Sequence, residues 1–191
     1  MANNNHLIDK YIDALLVEAA LRKNELNSET ITTVYLGGGT PSLLSITQLS
    51  KLVNGLKKVF DFSDVEEFTI EVNPDDVTPE CIQQSKSLGI NRVSMGVQSF
   101  NDEDLRFMNR RHTAKQATDA IHIIKEAGIN NISIDLIYGI PGQNIEIWKN
   151  NVDTAISLSV QHISAYTLMY EEGTRLSVMR SLGKICLLLH I

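Results

Sequence analysis

The sequence predicts an α/β fold in which helices pack against a parallel sheet. The 191-residue chain has ordinary globular composition, with 43% hydrophobic and 21% charged residues. Short β-branched segments alternate with segments of helical periodicity, and the alternation recurs at spacings of roughly 30 residues, the length of a β-α-β unit. Right-handed crossovers between such units give either a barrel-like curved sheet or an open, doubly wound one.

The elements can be assigned in order along the chain. The predicted strands are short and rich in β-branched residues, and they lie at residues 31–36, 67–72, 91–97, 131–137 and 161–168. The predicted helices repeat apolar side chains every three or four positions, and they lie at residues 8–19, 49–59, 78–88, 102–108, 117–124 and 145–158. Thr47 is a candidate cap for the second helix, Pro79 suits the first turn of the third, and Gly89 suits its C-terminal end.

Charge and cysteine content exclude several classes of function. The formal net charge of −6 gives no attractive field for nucleic acid or an anionic membrane. The two cysteines, Cys81 and Cys186, cannot form a disulfide framework or a four-ligand metal site. No signal peptide is apparent, and no apolar run approaches the roughly 20 residues that a membrane helix needs. We therefore expect a cytoplasmic protein without stable membrane insertion or a nucleic-acid partner.

Polar residues cluster where the predicted strands end. In a parallel α/β fold, ligands bind at the carboxyl ends of the strands. The candidate binding residues occupy those ends or the connection after the third strand, and they are Gly38, Gly39, Thr40, Glu71, Gln98, Arg110 and Asp135. Glycine N–H groups and a guanidinium suit a carboxylate, whereas the two acids suit an ammonium group or ribose hydroxyls. The pattern indicates a site for a small zwitterion.

Each of these residues also has a purely structural interpretation. Glycine-rich turns after strands are common, Glu71 could bond within its own turn, and Gln98 and Asp135 could satisfy backbone groups of the sheet. The segment at residues 110–112 is expected to face solvent unless a ligand binds there. His122 and His162 are interpreted as structural rather than catalytic. The combination therefore carries more weight than any single residue.

The combination resembles a known family. Residues 35–42 (YLGGGTPS), 71–74 (EVNP), 92–100 (RVSMGVQSF) and 135–142 (DLIYGIPG) are similar, in order and spacing, to radical S-adenosylmethionine (SAM) proteins of the oxygen-independent coproporphyrinogen III oxidase family. Residues 105–112 and 164–174 fit the same pattern. The resemblance covers about residues 7–176 and implies a partial (βα)6 barrel. It implies that Gly38, Gly39 and Thr40 meet the methionine portion of SAM and that Glu71, Gln98, Arg110 and Asp135 complete the pocket.

The sequence departs from that family at its metal centre. The family holds a [4Fe–4S] cluster on a C-x3-C-x2-C motif after the first barrel strand, and this chain has no such motif. We therefore expect residues 1–176 to be a barrel domain truncated at both ends, without its first strand, its cluster loop or any metal ligand. Residues 177–191 are interpreted as a stub of a further segment or a non-native tail. The next strand then has an exposed edge, which predicts self-association.

The resemblance leaves several functions open. Its main implication is oxidative decarboxylation of coproporphyrinogen III in haem biosynthesis, although this chain is expected to be inactive as written. The alternative is a haem chaperone of the same family, which binds and transfers haem. In that case His112 would be a candidate haem ligand, but a solvated loop histidine is the preferred interpretation. A third possibility is an inert fragment or a degenerate paralogue.

Overall fold

A five-stranded parallel sheet forms the centre of the protein. The computed structural model describes residues 2–27 and 29–183. The strands follow one another across the sheet in chain order, and they are β1 Thr33–Leu36, β2 Glu67–Val72, β3 Arg92–Gln98, β4 Asn131–Tyr138 and β5 His162–Thr167. The predicted parallel α/β fold is confirmed, and β2 has the bounds that the sequence pattern predicted.

The strand order decides between the two sheet types that the sequence left open. Every strand pairs with its predecessor in the chain, so each crossover steps in the same direction across the sheet. Right-handed crossovers then place all the connecting helices on one face, as in a barrel, whereas a doubly wound sheet reverses direction once. The sheet is therefore the partial, barrel-type sheet that the family resemblance implies.

Helices connect and flank the strands. They are α1 Ala2–Arg22, α2 Ile46–Val59, α3 Pro79–Ser87, α4 Asp102–Phe107, α5 Ala114–Glu126, α6 Ile145–Ser157 and α7 Arg175–Ser181. The predicted cap of α2 is wrong: Ser45 caps it, because Ser45 accepts the Gln48 N–H and the Gln48 side chain accepts the Ser45 N–H. Thr47 lies inside the helix. The pattern also missed α7, which Thr174 caps.

The two faces of the sheet differ in chemistry. Alternate residues of the central strands are apolar and buried against the helices, and they include Phe68, Ile70, Val72, Val93, Met95, Val97, Ile132, Ile134 and Leu136. The residues between them are polar, and they include Thr69, Glu71, Ser94, Ser133, Asp135 and Ser164. Successive side chains of a strand point to opposite faces. The helices therefore cover an apolar face, and the polar face remains available for a site.

The sheet has two open edges among the described residues. Strand β1 pairs only with β2 at one edge, and β5 pairs only with β4 at the other. Helix α1 packs on α2, where Gln48 donates to Asp9 at 2.8 Å, and a groove of about 850 Å³ separates it from β1. Among the described helices, none combines the length and apolar character needed to cross a membrane. The domain boundary after residue 176 stays a prediction, and residues 184–191 of the predicted tail lie outside the described residues.

Candidate functional site

A cleft of about 170 Å³ lies at the carboxyl ends of the first four strands. Its lining comes from the ends of those strands and the turns after them: Gly39, Thr40, Pro41, Glu71, Val72, Asn73, Ser94, Gly96, Gln98 and Asp135. Strand register explains the convergence, because Glu71 pairs with Ser94, and Ser94 pairs with Ser133, which lies two residues before Asp135 on the same face of β4. Five of the seven predicted site residues thus line one cleft, and a sixth, Gly38, donates to Glu71 there.

Glu71 is fixed by two donors. The Tyr35 hydroxyl donates to Glu71 Oε1 at 2.8 Å, and the Gly38 N–H donates to Glu71 Oε2 at 3.0 Å. Gly38 and Gly39 have φ angles of 76° and 67°, a left-handed conformation that favours glycine. The carboxylate therefore holds the glycine turn against the end of β2. The alternative that Glu71 bonds only within its own turn does not fit these contacts.

Tyr35 is a site residue that sequence reasoning did not single out. Burial raises the pKa of its hydroxyl, and the hydrogen bond to Glu71 adds to the effect. The proton therefore stays on Tyr35, and the hydroxyl remains a donor to the carboxylate. Strand alternation could have found it, since Tyr35 lies two residues before Gly37 on the polar face.

Asp135 lies deeper on the same face. Burial raises the pKa of its carboxyl, and the negative charge of Glu71 acts in the same direction. The Ser164 hydroxyl, His162 and Arg110 oppose the shift. Two carboxylates thus face one cleft. A cationic ligand group would offset both the cost of burying the charge of Asp135 and its repulsion by Glu71.

Gln98 occupies an unusual backbone position at the end of β3. Its φ is 68°, and the side chain is buried. A Cβ placed on Gly96 would lie 2.8 Å from Gln98 Nε2, so the amide lies across Gly96. The register between β3 and β4 shifts in the same place, between Met95 and Gln98. Glycine at position 96 leaves the space that the amide occupies.

Arg110 stands beside the cleft rather than in its lining. The residue is exposed to solvent, and partial desolvation of its guanidinium lowers its pKa, while the carboxylates of Asp75 and Asp135 oppose the shift. Its charge therefore acts on Asp135. Arg111 faces solvent as predicted, although it pairs with Asp75 at 2.7 Å.

His112 is buried, so the sequence interpretation of a solvated loop histidine is wrong. The residue is only 4% exposed, and its Nε2 lies 2.9 Å from the carbonyl oxygen of Val97. Burial lowers the pKa of the ring. Because one ring nitrogen serves a backbone carbonyl beneath the end of β3, the ring is not a free haem ligand. By contrast, His122 and His162 are exposed.

The residues present do not fit a [4Fe–4S] cluster. Cys81 is half-buried in the first turn of α3, and Cys186 lies outside the described residues. Within the described ranges, no group of three or more His, Cys, Asp or Glu side chains could hold a metal ion. Three thiolates for a cluster are not available from a sequence with two cysteines.

Comparisons with known proteins agree on one superfamily. The profile of the radical SAM superfamily matches residues 5–170. The chain is 40% identical over 167 residues to "Heme chaperone HemW" of Lactococcus lactis subsp. lactis (strain IL1403), covering 87% of this chain and 43% of that protein. It is 38% identical over 168 residues to "Heme chaperone HemW" of Bacillus subtilis (strain 168), covering 87% of this chain and 44% of the relative.

A solved structure supports the same assignment. Coproporphyrinogen III oxidase (HemN) from Escherichia coli, described as a radical SAM enzyme, superimposes with a TM-score of 0.81 at 30% sequence identity. The match covers 95% of this chain and 41% of that one. The chain thus spans less than half the length of the relatives it matches.

Proposed function

Because the chain belongs to the radical SAM superfamily, we propose that its strand-end cleft binds SAM and that the protein handles haem as a chaperone. The observation that carries the first part is the convergence of Gly39, Thr40, Glu71, Gln98 and Asp135 on one cleft. The comparisons confirm the predicted resemblance to coproporphyrinogen III oxidase-like radical SAM proteins. These positions are the ones that this resemblance implied.

The charges of the site suit SAM. The ligand carries an ammonium, a sulfonium and one carboxylate, so its net charge is positive. Glu71 and Asp135 supply two negative charges beside the single guanidinium of Arg110. The carboxylates suit the ammonium or the ribose hydroxyls, and Arg110 suits the ligand carboxylate. Opposite charges inside a partly desolvated cleft attract more strongly than they do in water.

The chain's own residues support binding and orientation of SAM. Bound SAM supplies a sulfonium whose carbon–sulfur bond is cleaved in radical SAM enzymes, with an electron from the cluster. Because the two cysteines do not supply three thiolates, these residues are assigned only to holding the ligand. Glu71 would keep the glycine turn in place, and Gln98 would present its amide to the ligand.

The haem assignment rests on the relatives. Two proteins that are 40% and 38% identical carry the name of a haem chaperone, whereas the oxidase structure is 30% identical. These names favour the chaperone alternative over the oxidase function that the sequence resemblance first implied. Oxidative decarboxylation of coproporphyrinogen III remains a second candidate, supported by the TM-score of 0.81.

Calorimetric titration tests SAM binding. The purified chain is titrated with SAM and with S-adenosylhomocysteine, which lacks the sulfonium charge. We expect SAM to bind more tightly and the Asp135→Asn variant to weaken SAM by about tenfold, the loss of one charged hydrogen bond. Asp153→Asn, on the exposed side of α6, is the matched control and should bind as the parent does. Absence of SAM binding, or equal weakening by both variants, would contradict the proposal.

Haem titration separates the two haem-related functions. We expect saturable haem binding with a shifted Soret band and transfer of the haem to an apo-acceptor protein. The oxidase candidate instead predicts saturable binding of coproporphyrinogen III, because two cysteines do not supply the cluster that the decarboxylation itself needs. Saturable binding of coproporphyrinogen III without saturable haem binding would overturn the chaperone assignment.

A further inference from the structure

We infer that His112 and Asn151 are positioning residues that hold Gln98 in a strained turn at the cleft. The inference rests on the proposed binding of SAM. Neither residue lines the cleft. Both are buried, with exposures of 4% and 1%. His112 bonds to the backbone of Val97, and Asn151 bonds to the backbone of Phe100 and to the Ser99 hydroxyl.

The turn itself is conformationally costly. Gln98 has a positive φ of 68°, and the Ser99 N–H donates to the Val97 carbonyl at 2.9 Å. A three-residue turn with this bond and a positive central φ is the rare, strained form of the γ-turn. A non-glycine residue persists in such a conformation only when its surroundings over-determine it. The surroundings of Gln98 therefore need an explanation.

His112 fixes the residue before Gln98. Its Nε2 lies 2.9 Å from the Val97 carbonyl oxygen, which also accepts the bond that closes the turn. Because a carbonyl only accepts hydrogen bonds, the ring must carry its proton on Nε2. Its Nδ1 lies 4.0 Å from Asp75 Oδ1. The ring thus anchors the same carbonyl that defines the turn.

Asn151 fixes the residues after Gln98 from the distant helix α6. Its Oδ1 accepts the Phe100 N–H at 2.6 Å, and its Nδ2 donates to Ser99 Oγ at 3.0 Å. The Ser99 hydroxyl donates in turn to Asp104 Oδ2 at 2.7 Å. A buried polar network in which each member has partners is rigid and specifies one geometry. The turn is therefore held on both sides, and of its three residues, Val97, Gln98 and Ser99, Gln98 is the one that lines the cleft.

A double-mutant cycle distinguishes positioning from general stabilisation. His112→Leu removes the donor and is expected to weaken SAM binding about tenfold, whereas His112→Gln supplies an amide donor and should recover most of the affinity. In a Gln98→Ala background, His112→Leu should cause no further weakening, because it acts through Gln98. His122→Leu, on the exposed side of α5, is the control. An undiminished effect of His112→Leu in the Gln98→Ala background would overturn the inference.

A ligand-free measurement keeps this inference separate from the proposed function. If the parent chain does not bind SAM, the proposed function fails, and amide hydrogen exchange followed by NMR still tests the turn. We expect exchange of the Ser99 amide to accelerate at least about fivefold in His112→Leu and in Asn151→Ala, while the Ile70 amide of β2 keeps its rate. Asn151→Ala provides the same test if His112→Leu does not fold. Equal acceleration at both amides would show a general loss of stability and overturn the inference.

Discussion

Gly37 offers the sharpest test of how the cleft is built. The residue follows β1 directly, and a Cβ placed there would lie 2.4 Å from Tyr35 Cε1 and 2.9 Å from Glu71 Cδ and Oε1. Its φ is not in the left-handed region, unlike those of Gly38 and Gly39. The Gly37→Ala substitution therefore tests packing against Tyr35 and Glu71 without backbone strain.

The expected magnitude follows from these contacts. Ordinary carbon contacts lie at about 3.5–4.0 Å, so the tyrosine ring must move by about 1 Å. That movement disrupts its 2.8 Å hydrogen bond to Glu71 and displaces the carboxylate from the Gly38 N–H. Tyr35 is 54% exposed, so water compensates for part of the loss. We expect Gly37→Ala to lower the free energy of unfolding by about 1–2 kcal/mol.

Thermal melts and SAM titration measure both consequences. For a domain of this size, the Tm should fall by about 2–8 °C, and SAM affinity should fall about tenfold because Glu71 loses its position. Tyr35→Phe removes only the hydroxyl and should cause a smaller loss of affinity. Gly38→Ala is the contrasting control, since its Cβ meets no atom within 4 Å and its cost is backbone strain alone. A Gly37→Ala protein with the parent Tm and SAM affinity would refute the reasoning.

Three further predictions concern pH and assembly. Burial raises the pKa of Asp135. Its contribution to the free energy of unfolding is therefore full below the ordinary carboxyl pKa and is lost as pH rises through the raised value. The Tm of Asp135→Asn should exceed that of the parent at neutral pH but not in acid. Burial lowers the pKa of His112, so its contribution to the free energy of unfolding is present above the ordinary histidine pKa and is lost as pH falls through the lowered value. The Tm of His112→Gln should therefore fall less steeply than that of the parent as the pH is lowered. Light scattering should detect concentration-dependent self-association of the chain through β1. The Thr33→Lys substitution on that edge strand should reduce the self-association. A parent chain that is monomeric at all micromolar concentrations would contradict the prediction.

The regular features of the fold were predictable from local sequence. Strand β2 has its predicted bounds, and Pro79 lies in the first turn of α3 as predicted. Because parallel strands end at one rim, the sequence also predicted that Glu71, Gln98 and Asp135 lie close together, and all three line one cleft. These inferences succeeded because periodicity and strand direction are properties of short segments. The wrong cap of α2 is a different case, since Ser45 and Gln48 carry a visible capping-box pattern.

The features that fix the geometry of the cleft are not local. Asn151 reaches Ser99 across 52 residues of sequence, and no spacing pattern joins them. The buried His112 ring bonds to the carbonyl of Val97, 15 residues earlier in the chain, and that carbonyl also accepts the Ser99 N–H that closes the turn at Gln98. The sequence therefore indicates which residue types gather at the rim, whereas long-range packing decides their orientation.

The same packing separates the roles of the two carboxylates, which residue types alone left open. Glu71 already accepts bonds from Tyr35 and Gly38, so its charge is largely satisfied before a ligand arrives. The Ser164 hydroxyl favours the charged form of Asp135, but burial raises the pKa of its carboxyl. A ligand ammonium or hydroxyl that reached Asp135 would restore hydrogen bonding to a desolvated charge, whereas one that reached Glu71 would compete with existing donors. Under the proposed function, Asp135 is therefore the carboxylate that would gain more from SAM, and Glu71 is the one that shapes the glycine turn beside it.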